Sequence, residues 1–211
     1  MKNRKKTALI LIVLCFTMLF SMSAFAGKYT GTKKGSGTIK LILVGDSRTM
    51  HMSYRNADHT KNIYFVYGNG CSALDMNNNF DGFKDKLKNA LKTYKKATVV
   101  FMLGVNGNSS PSKNVDQIEK LYNYCKKNYG GHTYVVSTVG KTFGCSGNYA
   151  NSKVVSLNEK IAKRFSGKPF FNLYRYTEQW ISKKSETADG LHYKSGTYNK
   201  ILNKLRALYI R

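Results

Sequence analysis

Short apolar runs, each too brief for a helix and each followed by residues at helical spacing, set the fold class of this chain. The runs are Ile39–Val44, Ile63–Tyr67, Ala97–Leu103, Thr133–Val139 and Pro169–Leu173. Their length and lack of alternation predict buried strands. Between them, Phe80, Phe83, Leu87, Leu91 and Tyr94 recur at helical spacing and predict a helix over Phe80–Tyr94. Val115, Ile118, Leu121, Tyr122, Cys125 and Tyr129 form a second stripe, and Val154–Phe165 a third. Tyr198, Ile201, Leu202, Leu205 and Leu208 mark a C-terminal helix. Strands that are apolar on both faces and alternate with helices require a parallel sheet covered on both sides. The expected architecture is α/β, with three α/β/α layers around a five-stranded parallel sheet. In such sheets functional groups gather at the carboxyl ends of the strands.

The first residues stand outside this pattern. Lys2, Arg4, Lys5 and Lys6 precede an apolar run from Ala8 to Met22, and Ala24-Phe25-Ala26 offers a small-x-small cleavage site. These parts together predict a secretory signal peptide over residues 1–26 and an exported, extracellular protein. Gly27–Gly37 is polar and rich in Gly, Lys, Thr and Ser, which predicts a flexible leader. Residues 38–211 then form one domain; the chain's 2 prolines argue against an interdomain linker.

Charge narrows the partners. With 35 Lys and Arg against 11 Asp and Glu, the chain carries a formal charge of +24. Such an excess attracts anions or simply keeps a protein soluble. For an exported protein the anionic partners are acidic glycans, cell-wall polymers or lipid headgroups before nucleic acid. Past the leader, Cys71, Cys125 and Cys145 show no metal-ligand spacing, so neither metal nor cofactor is expected.

The candidate chemistry lies just past strand ends. The first strand runs into Gly45-Asp46-Ser47-Arg48. A serine there can act as nucleophile, with its own N–H aimed at an oxyanion; the same tripeptide also suits an Asp/Ser helix cap. The third strand ends in Gly104-Val105-Asn106-Gly107, where Asn106 can offer its side-chain N–H to an oxyanion or hold a turn. Asp189-Gly190-Leu191-His192 precedes the last helix. An Asp three residues before a His lets the carboxylate fix the imidazole tautomer and leaves Nε2 free as a base.

In order and placement these segments resemble the SGNH/GDSL hydrolase family, whose Ser, Gly, Asn and His stand in separate blocks. Gly45-Asp46-Ser47 matches the nucleophile block, Gly68-Asn69-Gly70-Cys71-Ser72 the glycine block, Gly104-Val105-Asn106 the asparagine block, and Asp189-Gly190-Leu191-His192 the Asp-x-x-His block. The resemblance spans Ile39 to about Tyr209 and implies a flavodoxin-like fold. It also implies a Ser47–His192–Asp189 triad, with an oxyanion hole from the N–H groups of Ser47 and Gly70 and the Asn106 side chain. Gly68 is the alternative to Gly70. The family usually has Asp after the block Asn, where this chain has Gly107, so the brace on Asn106 is in question.

Other residues carry open readings. Arg48 suits an anionic substrate or a structural salt bridge, His51 a pocket wall or exposed surface, and Tyr174, Tyr176 and Trp180 a sugar-stacking rim or core packing. Cys71 and Cys145 fall in loops on the catalytic edge, where a disulfide would clamp the pocket; three free thiols are the alternative. The implied function is a monomeric secreted serine esterase that removes acyl groups, acetyl foremost, from carbohydrate or cell-wall glycan. Lipolytic activity and non-catalytic wall binding are the competing readings.

Overall fold

The computed structural model describes residues 27–210, so the export segment read at residues 1–26 lies outside the described residues. The chain joins the sheet through β1 (Tyr29–Lys34) and continues through β2 (Leu41–Gly45), β3 (Ile63–Asn69), β4 (Thr98–Met102), β5 (Tyr134–Ser137) and β6 (Phe170–Phe171). Strands β2 to β6 pair in parallel, in the order β3-β2-β4-β5-β6. The chain therefore winds outward from β2 to one side and then from β4 to the other. The junction of β2 and β4 is the topological switch point, where open α/β sheets form their crevice.

The double burial inferred from the strands is met on both faces. Alternate residues point to opposite sides of a strand. Ile42, Val44, Val99 and Phe101 pack under α4 (Phe83–Thr93), α5 (Pro111–Asn128) and α6 (Asn151–Arg164), against Leu87, Leu91, Ile118, Leu121, Leu157 and Ile161. Leu41, Leu43, Phe65 and Val100 pack on the other face, against Met52 of α1 (Ser47–Ser53), Leu173 of α7 (Leu173–Trp180) and Ile201, Leu202 and Leu205 of α8 (Ser195–Tyr209). Two short helices, α2 (Ala57–Thr60) and α3 (Ala73–Asn77), complete the connections.

Three expectations need correction. The stretch read as a flexible leader contains β1, which pairs antiparallel with β3 from Tyr29 opposite Asn69 to Lys34 opposite Tyr64. The sheet therefore has six strands. Only Thr30 of β1 is buried, so the strand has no apolar signature. Its hold is backbone pairing plus a side-chain clamp: Thr30 N and Oγ1 donate to Asp81 Oδ2 at 2.7 and 3.0 Å. The helix expected over Phe80–Tyr94 begins only at Phe83, because Asn79, Asp81 and Gly82 take left-handed backbone angles and make a separate turn. The open cysteine reading resolves to its free-thiol alternative: Cys71, Cys125 and Cys145 are unbridged. Cys71 follows β3 and Cys145 follows β5, and β2 and β4 lie between those strands.

Removal of β1 would uncover the paired edge of β3 and free the Asp81 clamp. A variant starting at Gly35 should be less stable than one starting at Gly27 by about 2 kcal/mol, or roughly 4–8 °C in Tm at this size. Equal melting temperatures would show that β1 contributes nothing to the fold.

Candidate active site

The site begins with a glycine that cannot be anything else. A Cβ on Gly45 would lie 2.0 Å from Thr49 Oγ1 and 2.7 Å from the Met102 carbonyl. Only glycine lets the end of β2 turn into α1 while hugging β4. Asp46 then caps α1, its Oδ1 accepting from Arg48 N at 3.0 Å. The helix-cap reading of Gly-Asp-Ser is thus met at Asp46, and it fixes Ser47 as the first residue of the helix. Backbone N–H groups of a first helical turn have no partner inside the helix.

Ser47 Oγ lies 2.9 Å from His192 Nε2, and His192 Nδ1 lies 2.7 Å from Asp189 Oδ2. The Asp189 carboxylate accepts from Nδ1–H, which turns Nε2 toward the Ser47 hydroxyl. The same carboxylate builds its own turn, Oδ1 accepting from Leu191 N at 2.9 Å and His192 N at 2.7 Å. Burial pushes the Asp189 carboxyl up, but those N–H groups and the imidazole outweigh it and hold the carboxyl below its ordinary range. Gly190 makes the turn possible. Its φ is +88°, and a Cβ there would strike the Phe143 carbonyl at 2.3 Å.

Asn106 is buried at the end of β4, across the switch point from Ser47. Its Nδ2 donates to Cys71 O at 3.1 Å, and its Oδ1 accepts from Tyr149 Oη at 3.3 Å. The second Nδ2 hydrogen is left to serve a ligand. The Asp missing at Gly107 has a substitute. Asn114, buried in the first turn of α5, donates to the carbonyls of Gly104 at 2.7 Å and Asn106 at 3.4 Å, and so braces the loop from the helix side. Of the two candidate glycines, Gly68 is still within β3, opposite Thr30. Gly70 sits on the exposed turn beyond it, next to the Cys71 carbonyl that Asn106 holds.

Arg48 does not form the structural salt bridge read for it. Its guanidinium is buried, with no ion pair within 4.0 Å among the described residues. Nε donates to Leu191 O at 3.0 Å, Nη1 donates to Gly140 O at 2.9 Å, and the group lies 4.9 Å above the Tyr193 ring. It fastens the Ser47 turn to the residue before His192 and to the loop after β5. Burial raises the neighbouring Asp46 carboxyl above its ordinary range in spite of the Arg48 charge. His51 lines the site, with its ring 4.8 Å from that of His192. Desolvation lowers its pKa, helped by the charges of His192 and Arg55 and opposed by Asp189. Tyr176 stacks between Phe171 and Trp180, and Tyr174 Oη accepts from Asn151 Nδ2 at 2.8 Å, so these aromatics pack within the fold. Tyr149, Asn114 and the bracing role of Arg48 were not read from the sequence. Tyr149 gave one signal, an aromatic in a Gly- and Asn-rich loop beyond a strand end.

A serine hydroxyl facing an oriented imidazole, with N–H donors on neighbouring loops, can attack a carbonyl and stabilise the resulting oxyanion. No protein-family model matches the chain, and no curated protein matches its sequence. Solved structures do resemble it. A Bacteroides fragilis protein provisionally assigned as an acylhydrolase is 19% identical with a TM-score of 0.64, covering 83% of this chain and 89% of its own. A member of the lipolytic G-D-S-L family from Veillonella parvula is 14% identical with a TM-score of 0.60, covering 82% of this chain and 100% of its own. An acetyl xylan esterase is 16% identical with a TM-score of 0.60 over the same shares. At these identities the likeness establishes the fold, which is that of the SGNH/GDSL hydrolases.

Replacing Arg48 by Met keeps the stem and removes the guanidinium. It strips partners from the Leu191 and Gly140 carbonyls and removes the nearby charge that offsets part of the desolvation of the Asp46 carboxyl. The expected loss is about 3 kcal/mol, or roughly 6–12 °C in Tm. A fall of less than 2 °C in a thermal melt would contradict the fastening role.

Proposed function

We propose that this chain, folded as the SGNH hydrolases are, is a secreted serine esterase that removes acetyl or similar short acyl groups from a glycan. The contact of Ser47 Oγ with His192 Nε2 at 2.9 Å carries the reading. In this mechanism Ser47 Oγ attacks the ester carbonyl while His192 Nε2 takes its proton, and Asp189 holds the imidazolium at Nδ1. The oxyanion receives the N–H groups of Ser47 and Gly70 and the free hydrogen of Asn106 Nδ2. His192 then protonates the departing alcohol, and water repeats the sequence on the acyl-serine.

A groove of about 310 Å3 adjoins the Asn106 loop. It begins at Gly107, next to Asn106, and is lined by Ser72, Ser109, Ser110, Lys113, Asp116 and Gln117, with Leu74 the apolar member among them. The acetyl xylan esterase with this fold lends the glycan reading support by analogy. Export rests on the N-terminal sequence pattern, and the excess of 35 cationic over 11 anionic side chains supports retention on an anionic surface outside the cell.

Ser47→Ala should lower kcat on a chromogenic acetyl ester by roughly 10³-fold or more with the melting temperature kept. Near-normal turnover by that variant would remove the mechanism. Acetyl esters should outpace octanoyl esters, and the reverse ranking would favour a lipolytic enzyme.

A further inference from the structure

The sheet has a second organised edge. At the end opposite Ser47, the turns that lead into the parallel strands carry lysines and no carboxylates. Lys33 and Lys34 end β1, Lys61 precedes β3, Lys40 precedes β2, Lys92, Lys95 and Lys96 precede β4, and Lys126 and Lys127 precede β5. All are exposed. No Asp or Glu occupies residues 33–40, 61–62, 92–97 or 126–133, and the nearest in sequence is Asp58.

Register aligns these turns. Lys34 pairs with Tyr64, and Leu41 pairs with both Ile63 and Thr98, so the lysine turns stand side by side across β1, β3, β2 and β4, with β5 next. At about 4.8 Å per strand the row is roughly 19 Å long. It ends before β6, whose approach carries Arg164 and Lys168 already paired with Asp116 and Glu119. The catalytic edge, by contrast, mixes signs, with Asp75, Glu186 and Asp189 among Lys28, Lys184 and Lys194. Like charges set this close repel one another, a cost that a bound polyanion relieves.

We propose that this lysine edge is a docking surface for a linear phosphodiester polymer. The charges form a row rather than a disc, which fits a chain better than a lipid plane. Within the row, a groove of about 500 Å3 runs between Lys40, Lys95 and Lys96 and the Leu208–Tyr209 end of α8, giving a strand of polymer both cations and an apolar wall. The cations are lysines, which bind phosphate oxygens as point charges, without the fixed bidentate geometry that an arginine fork imposes. Strands of about five residues put this edge roughly 17 Å from Ser47, so docking and ester turnover occupy separate ends of the molecule.

The test uses the chain from Gly27, poly(glycerol phosphate), and vesicles of phosphatidylglycerol in phosphatidylcholine. Lys34→Gln, Lys61→Gln, Lys95→Gln and Lys96→Gln together should weaken polymer binding at least tenfold at about 0.1 M salt, with Tm kept. Lys120→Gln, Lys153→Gln, Lys160→Gln and Lys163→Gln remove the same charge from α5 and α6 and should weaken it less than threefold. Equal losses in the two variants would reduce the effect to net charge and overturn the edge. Vesicle binding lost in the edge variant with polymer binding intact would overturn the polymer in favour of a membrane. Saturating polymer should leave acetyl-ester KM unchanged, and competitive inhibition would move the polymer to the catalytic edge and end the proposal. The binding arms need no catalysis, so failure of the esterase reading leaves them interpretable.

Discussion

Because the strand order reverses between β2 and β4, the connections leaving these neighbours run to opposite faces of the sheet. After β2 the chain turns into α1 on one side, and after β4 it turns into α5 on the other. Their loops cannot close over each other, and a crevice opens between them. Ser47 and Asn106 stand on its two banks because the register sets Gly45 beside Met102. The fit is tight enough that the backbone of β4 excludes any side chain at position 45. The location of the site thus follows from the winding of the chain before any chemistry is considered.

Winding brings loops near one another but does not hold them, and here buried polar groups take over. Arg48 reaches from α1 to the carbonyls of Leu191 and Gly140, joining three segments through one guanidinium. Asn114 does the same for the β4 loop, and Tyr149 holds the oxygen of the Asn106 amide so that its nitrogen faces Cys71. Such groups are costly to bury and lose most when a partner is removed. They favour one arrangement of the loops over its neighbours, which is what a site with tight positional demands needs.

Local pattern reveals whatever burial dictates. The apolar runs at Leu41–Val44 and Thr98–Met102 and the stripes on α5 and α8 declare their places, since each has one way to hide from water. The meeting of Ser47, His192 and Asp189 was legible because strand ends and a short turn confine them. The strand β1 was not, since Tyr-Thr-Gly-Thr-Lys-Lys is held by backbone pairing and by Asp81, far along the chain. The fastening roles of Arg48, Asn114 and Tyr149 were hidden for the same reason: each depends on a carbonyl or amide that only the finished fold brings near. Helix α7 was missed because its aromatics extend the preceding apolar run without a break, and only the Asn172 cap separates them.

The two rims of the sheet matter for a protein at high concentration. An unpaired strand is a template on which another chain can add itself. One rim is β1, whose outer half carries Lys33 and Lys34 and whose face hides little more than Thr30. The other is β6, two residues long. One offers charge to any incoming strand and the other offers almost no length to pair with. The fold therefore has a built-in colloidal safeguard: neither border invites the runaway strand addition that ends in fibrils.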